Sequence, residues 1–409
     1  MILLLRLAVR NARRNVVRTA LTASTVALGT AVLTTALAWI GGVFGSIIET
    51  SANSVGHVRV VQPAYAARED LFPLYENIAN AREIVDTVSE IDGVTAAYPR
   101  IVSGVTVSAG DEIGEHFSLL YGADVAWFRE RMDFDALMAA GTFFERPDDI
   151  VLGATIAERT GATVGGEVIL LGQTQDGSIS PLKGRVVGVV SAGTALMDQA
   201  AFVSLERMQY LADMDGGATE ILVYAEHRDD AGELATRVAA EVGDLKAEAW
   251  SAREPWASLL SIVVVIRTTL AGFIVFITAL GVWNTMMMSV MERTSEIGVL
   301  RAMGLTGRGT LFLFVSEALM IATLGGLLGV CIGGLGGAYL EIYGVSIGSD
   351  VTQNLSTDFP FQQTMYADMN LEVALTAFGL GMLMAVVGSA LPSARAASIK
   401  PVEAMRTNR

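Results

Sequence analysis

Four long apolar stretches constrain this chain more than any other feature. They run roughly from Thr19 to Val43, Leu259 to Met288, Thr310 to Leu340 and Leu371 to Leu391. Each exceeds the ~20 apolar residues that a helix needs to cross the hydrocarbon of a bilayer. Only 17% of residues are charged, against about 25% in soluble domains. The 409-residue chain is too long for spans alone. The stretch from Ile47 to Trp256 has the polarity of a globular domain and falls between the first two spans. The single cysteine, Cys331, lies inside an apolar run and excludes an internal disulfide or a cysteine-based metal site.

Orientation follows from the basic residues beside the spans. Arg6, Arg10, Arg13, Arg14 and Arg18 precede the first span without an acid among them. Arg293, Arg301 and Arg308 lie between spans two and three, and Arg395, Lys400, Arg406 and Arg409 follow span four. The segment 341–370 has four acids and no basic residue. Both termini and the short connection are therefore expected in the cytoplasm, with the large domain and the 341–370 loop outside. Ala36-Leu37-Ala38 has the form of a signal-peptidase site. Apolar character continues past it through Trp39, Ile40, Val43 and Phe44, so an uncleaved span is expected.

These readings divide the chain as follows. Residues 1–18 form an amphipathic cytoplasmic helix, 19–50 span one with a stalk, 51–254 an outer α+β domain, and 255–291 a stalk and span two. Residues 292–306 form a cytoplasmic helix, 310–340 span three, 341–370 an outer loop, 371–391 span four and 392–409 a cytoplasmic tail. In the outer domain, strands are expected at 57–61, 94–108, 116–121, 149–153, 167–172, 184–190, 201–203 and 220–224. Helices are expected at 77–91, 154–160, 205–212 and 230–242. A strand followed by a helix occurs near each end, which predicts one subdomain built from both ends and a second inserted between them.

Met291 to Gly304 reads Met-Glu-Arg-Thr-Ser-Glu-Ile-Gly-Val-Leu-Arg-Ala-Met-Gly. As a helix it groups Ile297, Leu300 and Gly304 on one side and spreads Glu292, Arg293, Glu296 and Arg301 over the rest. From the residues alone, a surface connector with salt bridges at helical spacing competes with a segment that carries motion from a soluble partner. Glu317 is the one acid deep in an apolar run, a functional candidate by default. Its nearness to the cytoplasmic side favours a structural role, snorkelling or pairing with Arg308. Gly325, Gly329, Gly333 and Gly337 recur every fourth residue in span three, and Gly381, Ala385 and Ser389 in span four, as small residues do where helices approach closely in lipid. Trp39 suits an outer interfacial belt.

The 291–304 segment resembles the Glu-Arg-x-x-Glu-Ile-Gly-x-x-Arg-Ala-x-Gly signature of the MacB/LolC–LolE/FtsX family of ABC-transporter permeases. Glu292, Arg293, Glu296, Ile297, Gly298, Arg301, Ala302 and Gly304 occupy its fixed positions. Phe314 to Gly329, the tail motifs Pro392–Ala397 and Pro401–Arg406, and Arg18–Thr22 are similar to other parts of the family's pattern. The resemblance implies four transmembrane helices and a porter-like α+β extracytoplasmic domain with an inserted subdomain. It implies a coupling helix, Leu300 included, that docks on ABC ATPase subunits, and mechanotransmission rather than passage of substrate between the spans. It also implies a dimer, homo- or heteromeric, meeting through spans one and two. Ile266, Phe273 and Phe276, with Val26, Val32 and Val263, are then candidate interface residues, and the glycine faces pack within each subunit.

No Gly-x-x-x-x-Gly-Lys-Ser/Thr phosphate loop occurs; Gly304 to Thr310 lacks the lysine. The chain is accordingly expected to be a non-catalytic inner-membrane subunit without cofactor of its own, with ATP and magnesium bound by a separate partner ATPase. That departs from the fused MacB type and favours a split, LolC/LolE-like permease. His57, His116 and His227 are dispersed, and no catalytic or metal-ligand spacing recurs. Basic patches for nucleic acid are absent outside the cytoplasmic rim. The expected partners are ATPase subunits, a second permease copy and membrane lipid, with a periplasmic adaptor or a lipoprotein as further candidates. Lipoprotein release or lipid handling is the first expectation, after Gly56 to Val60. Efflux with an adaptor, or an FtsX-like regulator of a cell-wall hydrolase, is the alternative.

Overall fold

The computed structural model describes residues 16–110, 114–146, 148–192, 194–346 and 364–399. The expected amphipathic helix before Val16, the tail motif after Ile399 and most of the 341–370 loop lie outside the described residues.

Two compact units divide the chain. The first is helical. It contains most of α1 (Val16–Val55) and α7 (Trp256–Glu292), together with α8 (Thr294–Ala302), α9 (Gly307–Tyr343) and α10 (Leu371–Ser398). Among the described residues, α1, α7, α9 and α10 are the helices long and apolar enough to cross a membrane. The 40 residues of α1 make a helix of about 60 Å, twice the ~30 Å of hydrocarbon. Thr306 and Asn370 cap α9 and α10 by accepting from the backbone N–H of Gly309 and Val373. The sequence reading ends span four at Leu391, and Pro392 lacks the backbone N–H of a helix interior. α10 instead continues to Ser398, with Pro392, Ser393 and Ala396 buried, so packing outweighs one lost hydrogen bond.

Small residues set the approach of these helices. A side chain at Gly325, Gly329 or Gly333 of α9 would meet the carbonyl oxygens of Ala23, Ala27 and Ala31 on α1 at 2.6, 2.6 and 2.5 Å. Gly337 faces Ala38 and Met369. On α10, Gly381 lies against Thr30 of α1 and Gly388 against Ala279 and Val282 of α7. The glycine faces are thus contact surfaces within one chain. None of the most apolar 18-residue window of α7 is buried, and Ile266, Phe273 and Phe276 are exposed on it.

The second unit is the α+β domain that the charge pattern expects outside the membrane, the outer domain. Its strands are β1 (Val58–Val61), β2 (Val94–Ser108), β3 (His116–Ala123), β4 (Met138–Gly141), β5 (Asp149–Gly153), β6 (Glu167–Gln173), β7 (Ile179–Val190), β8 (Ala201–Ser204), β9 (Glu220–Ala225) and β10 (Lys246–Ala249). Its main helices are α2 (Ala81–Ser89), α3 (Val125–Glu130), α4 (Ala154–Thr160), α5 (Leu205–Ala212) and α6 (Ala231–Glu241). Strands from both ends of the domain meet in the order β10-β1-β9-β2, all antiparallel. α6 buries Ala231, Leu234, Ala235 and Val238, a helical stripe. The inserted part closes on itself. β2 pairs with β3, β3 with β8, β8 with β5, β5 with β7, β7 with β6, and β6 with the far end of β2. This six-stranded ring leaves no open edge and packs around Val105, Leu120, Ile150, Leu152, Val168, Leu182 and Val186.

The two subdomains are not independent sheets, because the 15-residue β2 serves both. The expected helix at 77–91 is shorter, Ala81–Ser89; Ile78 instead forms a β-bridge with Ala218. β4, β10 and α3 were not anticipated.

Candidate coupling elements

α8 is the segment that sequence reasoning assigned to a partner. α7 ends at Glu292, and Arg293 breaks the helix before α8 begins at Thr294. α8 buries Ile297 and Gly298, with Ile297 in one apolar cluster with Val26, Val290 and Phe314. Gly304, beyond its C-terminus, has φ +102°, a backbone conformation that β-carbon-bearing residues avoid. Gly304 therefore ends the element and does not share a helical face with Ile297.

Charged side chains tie both ends of α8 to the helical unit. Arg293 reaches Glu317 of α9 at 3.4 Å, and both are largely buried. Glu317, 4% exposed, is thus neutralised from the preceding connection. The pairing with Arg308 expected from sequence does not appear. Glu292 pairs with Arg18 of α1, whose guanidinium also donates to the Ser289 hydroxyl at 3.2 Å. Arg301 donates to the backbone carbonyl of Ile399, just past α10.

Of the residues assigned to ATPase contact, then, Arg293, Arg301 and Glu292 are engaged within the chain, and Ile297 and Gly298 are buried. Leu300 is half-buried, and Glu296, Ala302 and Gly304 are exposed. The outward surface also carries residues that sequence reasoning missed: Val299, 46% exposed, and Met303, 72% exposed. They stand four residues apart, the spacing of one helical face. Two apolar residues at that spacing, off the face that carries Ile297 and Leu300, were the available signal.

In the outer domain, a second set of contacts fixes the last turn of α1. Tyr224 of β9 donates its hydroxyl to the Asn53 carbonyl at 2.7 Å and accepts from the indole N–H of Trp127 at 2.7 Å. Arg100 of β2 donates to the Ser54 carbonyl and pairs with Glu220 at 2.8 Å. Arg59 pairs with Glu69 at 2.7 Å and Glu248 at 3.1 Å; Glu69 also takes Arg253 at 3.0 Å. Burial pushes the Glu220 carboxyl up, but Arg100 and Arg59 outweigh it and hold the group below the usual carboxylate range. Burial raises the Tyr224 hydroxyl to about 12, against the opposing hydrogen bond from Trp127, so it stays a protonated donor. His57 is buried and accepts the Ala225 N–H on Nδ1 at 3.1 Å; burial, with Arg131 and Arg228, lowers its pKa. Among the described residues, no group of three His, Cys, Asp or Glu side chains could hold a metal ion.

Comparison with known proteins places these elements. Residues 19–241, more than half of the chain, match the MacB-like periplasmic core domain, and residues 268–401 match the FtsX-like permease C-terminal region. The macrolide export ATP-binding/permease protein MacB of Nitrobacter winogradskyi is 27% identical over 96% of this chain and 58% of its own length. The lipoprotein-releasing system transmembrane protein LolC of Xylella fastidiosa is 28% identical over 63% of this chain and 64% of its own. The chain thus spans about three fifths of the length of the curated relatives it matches. The crystal structure of the periplasmic region of MacB from Actinobacillus actinomycetemcomitans superimposes with a TM-score of 0.35 at 15% identity, over 48% of this chain and 91% of that one. With a MacB-like core domain between its first and second long apolar helices and an FtsX-like region in its C-terminal third, the chain belongs to the MacB/LolC/FtsX family of ABC-transporter permeases.

Proposed function

We propose that this permease works by mechanotransmission in the inner membrane, coupling ATP hydrolysis by a separate partner ATPase to motion of its outer domain. The observation that carries the reading is α8: anchored at both ends, continuous through one residue with α7, and presenting Val299 and Met303 outward. A helix tied in this way passes a push on its exposed face to α7, α9 and α10 instead of absorbing it. α1 and α7 each run from the helical unit into the outer domain and are the covalent routes for that motion. The distribution of Arg and Lys supports cytoplasmic termini and a periplasmic core domain. The uncovered apolar stretch of α7, with Ile266, Phe273 and Phe276, supports a second permease copy as neighbour in the membrane.

For cargo we propose lipoproteins or envelope lipids, as the name of the LolC relative implies for that protein. Export of small molecules with a periplasmic adaptor is the second reading, favoured by the MacB relative's alignment over 96% of this chain. Depletion separates them: lipoprotein retained in the inner membrane supports the first, and raised macrolide sensitivity with normal lipoprotein sorting supports the second. The coupling claim is tested with Val299→Asp and Met303→Asp. Both should abolish co-purification of the ATPase while membrane insertion is kept; ATPase recovery equal to wild type would refute it.

A further inference from the structure

The outer domain holds a cavity of about 410 Å³, within the range of small-molecule sites, about 300–1,000 Å³. Much of its wall is apolar, with Trp127, Leu137, Met197 and Trp256 among the lining residues. The indole N–H of Trp127 is committed to Tyr224, so Trp127 offers the cavity apolar surface only.

Among the described residues, one cation in the lining is left without an ion pair. Arg131 stacks its guanidinium 4.2 Å from the Tyr224 ring centroid and contacts the Tyr98 side chain. Its buried Nε has no acceptor, and among the described residues it makes no ion pair. The other lining cation, Arg100, is already neutralised by Glu220. The lining acid, Asp133, is exposed. A guanidinium without an ion pair beside a largely apolar wall favours an anion, and an anionic group entering this cavity would neutralise it.

We infer that the cavity binds an amphiphile bearing a single anionic group, with its apolar body against Trp127, Trp256, Leu137 and Met197 and its head on Arg131. Two sources share that chemistry: an acyl chain ending in an acid, and a bulky ring compound bearing one.

The test uses the full chain in lipid nanodiscs without nucleotide, so it is read independently of the coupling function. Diazirine-bearing palmitic acid is photo-crosslinked and the adducts are mapped by mass spectrometry, with diazirine-bearing hexadecanol as the uncharged control. Adducts from the acid should fall on the peptide containing Trp127 and Leu137. Arg131→Gln should cut the acid's yield there about ten-fold, the weight of one charge-assisted contact, and leave the alcohol's yield unchanged. Ala192→Trp, which fills the cavity from its wall, should remove both. Displacement by cholate assigns the site to ring compounds; displacement by dodecanoate alone assigns it to acyl chains. Adducts confined to the membrane helices, or a yield from the acid that Arg131→Gln leaves unchanged, would overturn the inference.

Discussion

Placing a methyl group on the glycine face of α9 is the sharpest test of how the helical unit is held together. A Cβ at Gly333 would lie 2.5 Å from the Ala31 carbonyl oxygen and 2.7 Å from Thr34 Cβ, where ordinary contact begins at 3.4 Å. The closest neighbour is backbone, so no rotamer change relieves it, and α1 and α9 must separate by nearly an ångström. Overpacking of this kind costs about 1–3 kcal/mol, and the better helix propensity of alanine returns about 1 kcal/mol. The net loss for Gly333→Ala should be about 0–2 kcal/mol, and larger for Gly333→Leu. Gly379 of α10 has nothing within 4 Å of its Cβ position, so Gly379→Ala gains propensity without a clash and should be neutral or slightly stabilising. Because Gly329 meets the same pair of helices, Gly329→Ala and Gly333→Ala together should cost less than the sum. Equilibrium unfolding of the full chain in mixed micelles measures all four. Equal stability of Gly333→Ala and Gly379→Ala would refute the packing argument. So would strong crosslinks between two copies at Gly333, read with Cys331 replaced by serine.

Other expectations follow from single contacts. Glu317→Ala should cost about 3 kcal/mol by removing the carboxylate that the buried Arg293 guanidinium meets, and Arg293→Met/Glu317→Leu together should restore most of it; thermal unfolding in detergent reads both. The Glu220 carboxyl is held below the ordinary range, so its contribution is complete above the unfolded value and lost as pH falls through the folded one. The outer domain should therefore weaken below about pH 4, and Glu220→Gln should be weaker at neutral pH with a flatter acid limb in a pH-dependent melting series. Tyr224→Phe leaves the Trp127 indole N–H without its acceptor and should cost about 1–3 kcal/mol, visible as a lowered melting temperature and changed tryptophan emission.

Much of this architecture is legible in the sequence, for reasons that differ from part to part. Hydropathy fixes the existence of the four long helices because each residue contributes independently to transfer into lipid. It does not fix their ends: α10 passes Pro392 because Ser393 and Ala396 are buried beyond it, a tertiary fact. Alternation locates β2, β3 and β6, yet ring closure depends on Thr106 to Ser108 pairing with Ile169 to Leu171, which no local pattern announces. β4 and β10, four residues each and alanine-rich, are too short for a strand pattern to stand out. At the candidate coupling element, the motif picks out a segment of the chain, but the direction of each side chain comes from the structure. The Arg293–Glu317 pair joins residues 24 apart, beyond any helical spacing, so local reasoning reached for Arg308 instead.

The ties of α8 carry an argument about why charges sit there at all. A buried ion pair is poor evidence of stability, since well-packed apolar residues of similar volume serve as well or better. What Arg293–Glu317 supplies that an apolar pair would not is register, because a guanidinium and a carboxylate meet at one position of α9 only. Arg301 does the same at the other end, on the single carbonyl of Ile399, and Glu292 reaches Arg18 of α1. The stretch from the end of α7 through α8 is consequently referenced to α1, α9 and the residue after α10 by polar contacts of Glu292, Arg293 and Arg301, while the packed side of α8 rests on Ile297 and Gly298. A segment whose only role was to connect two spans would need none of these. One that must deliver a displacement to several helices in a fixed direction needs all three, and loss of any one should reduce the coupling of ATP hydrolysis to outer-domain motion more than it reduces ATPase binding.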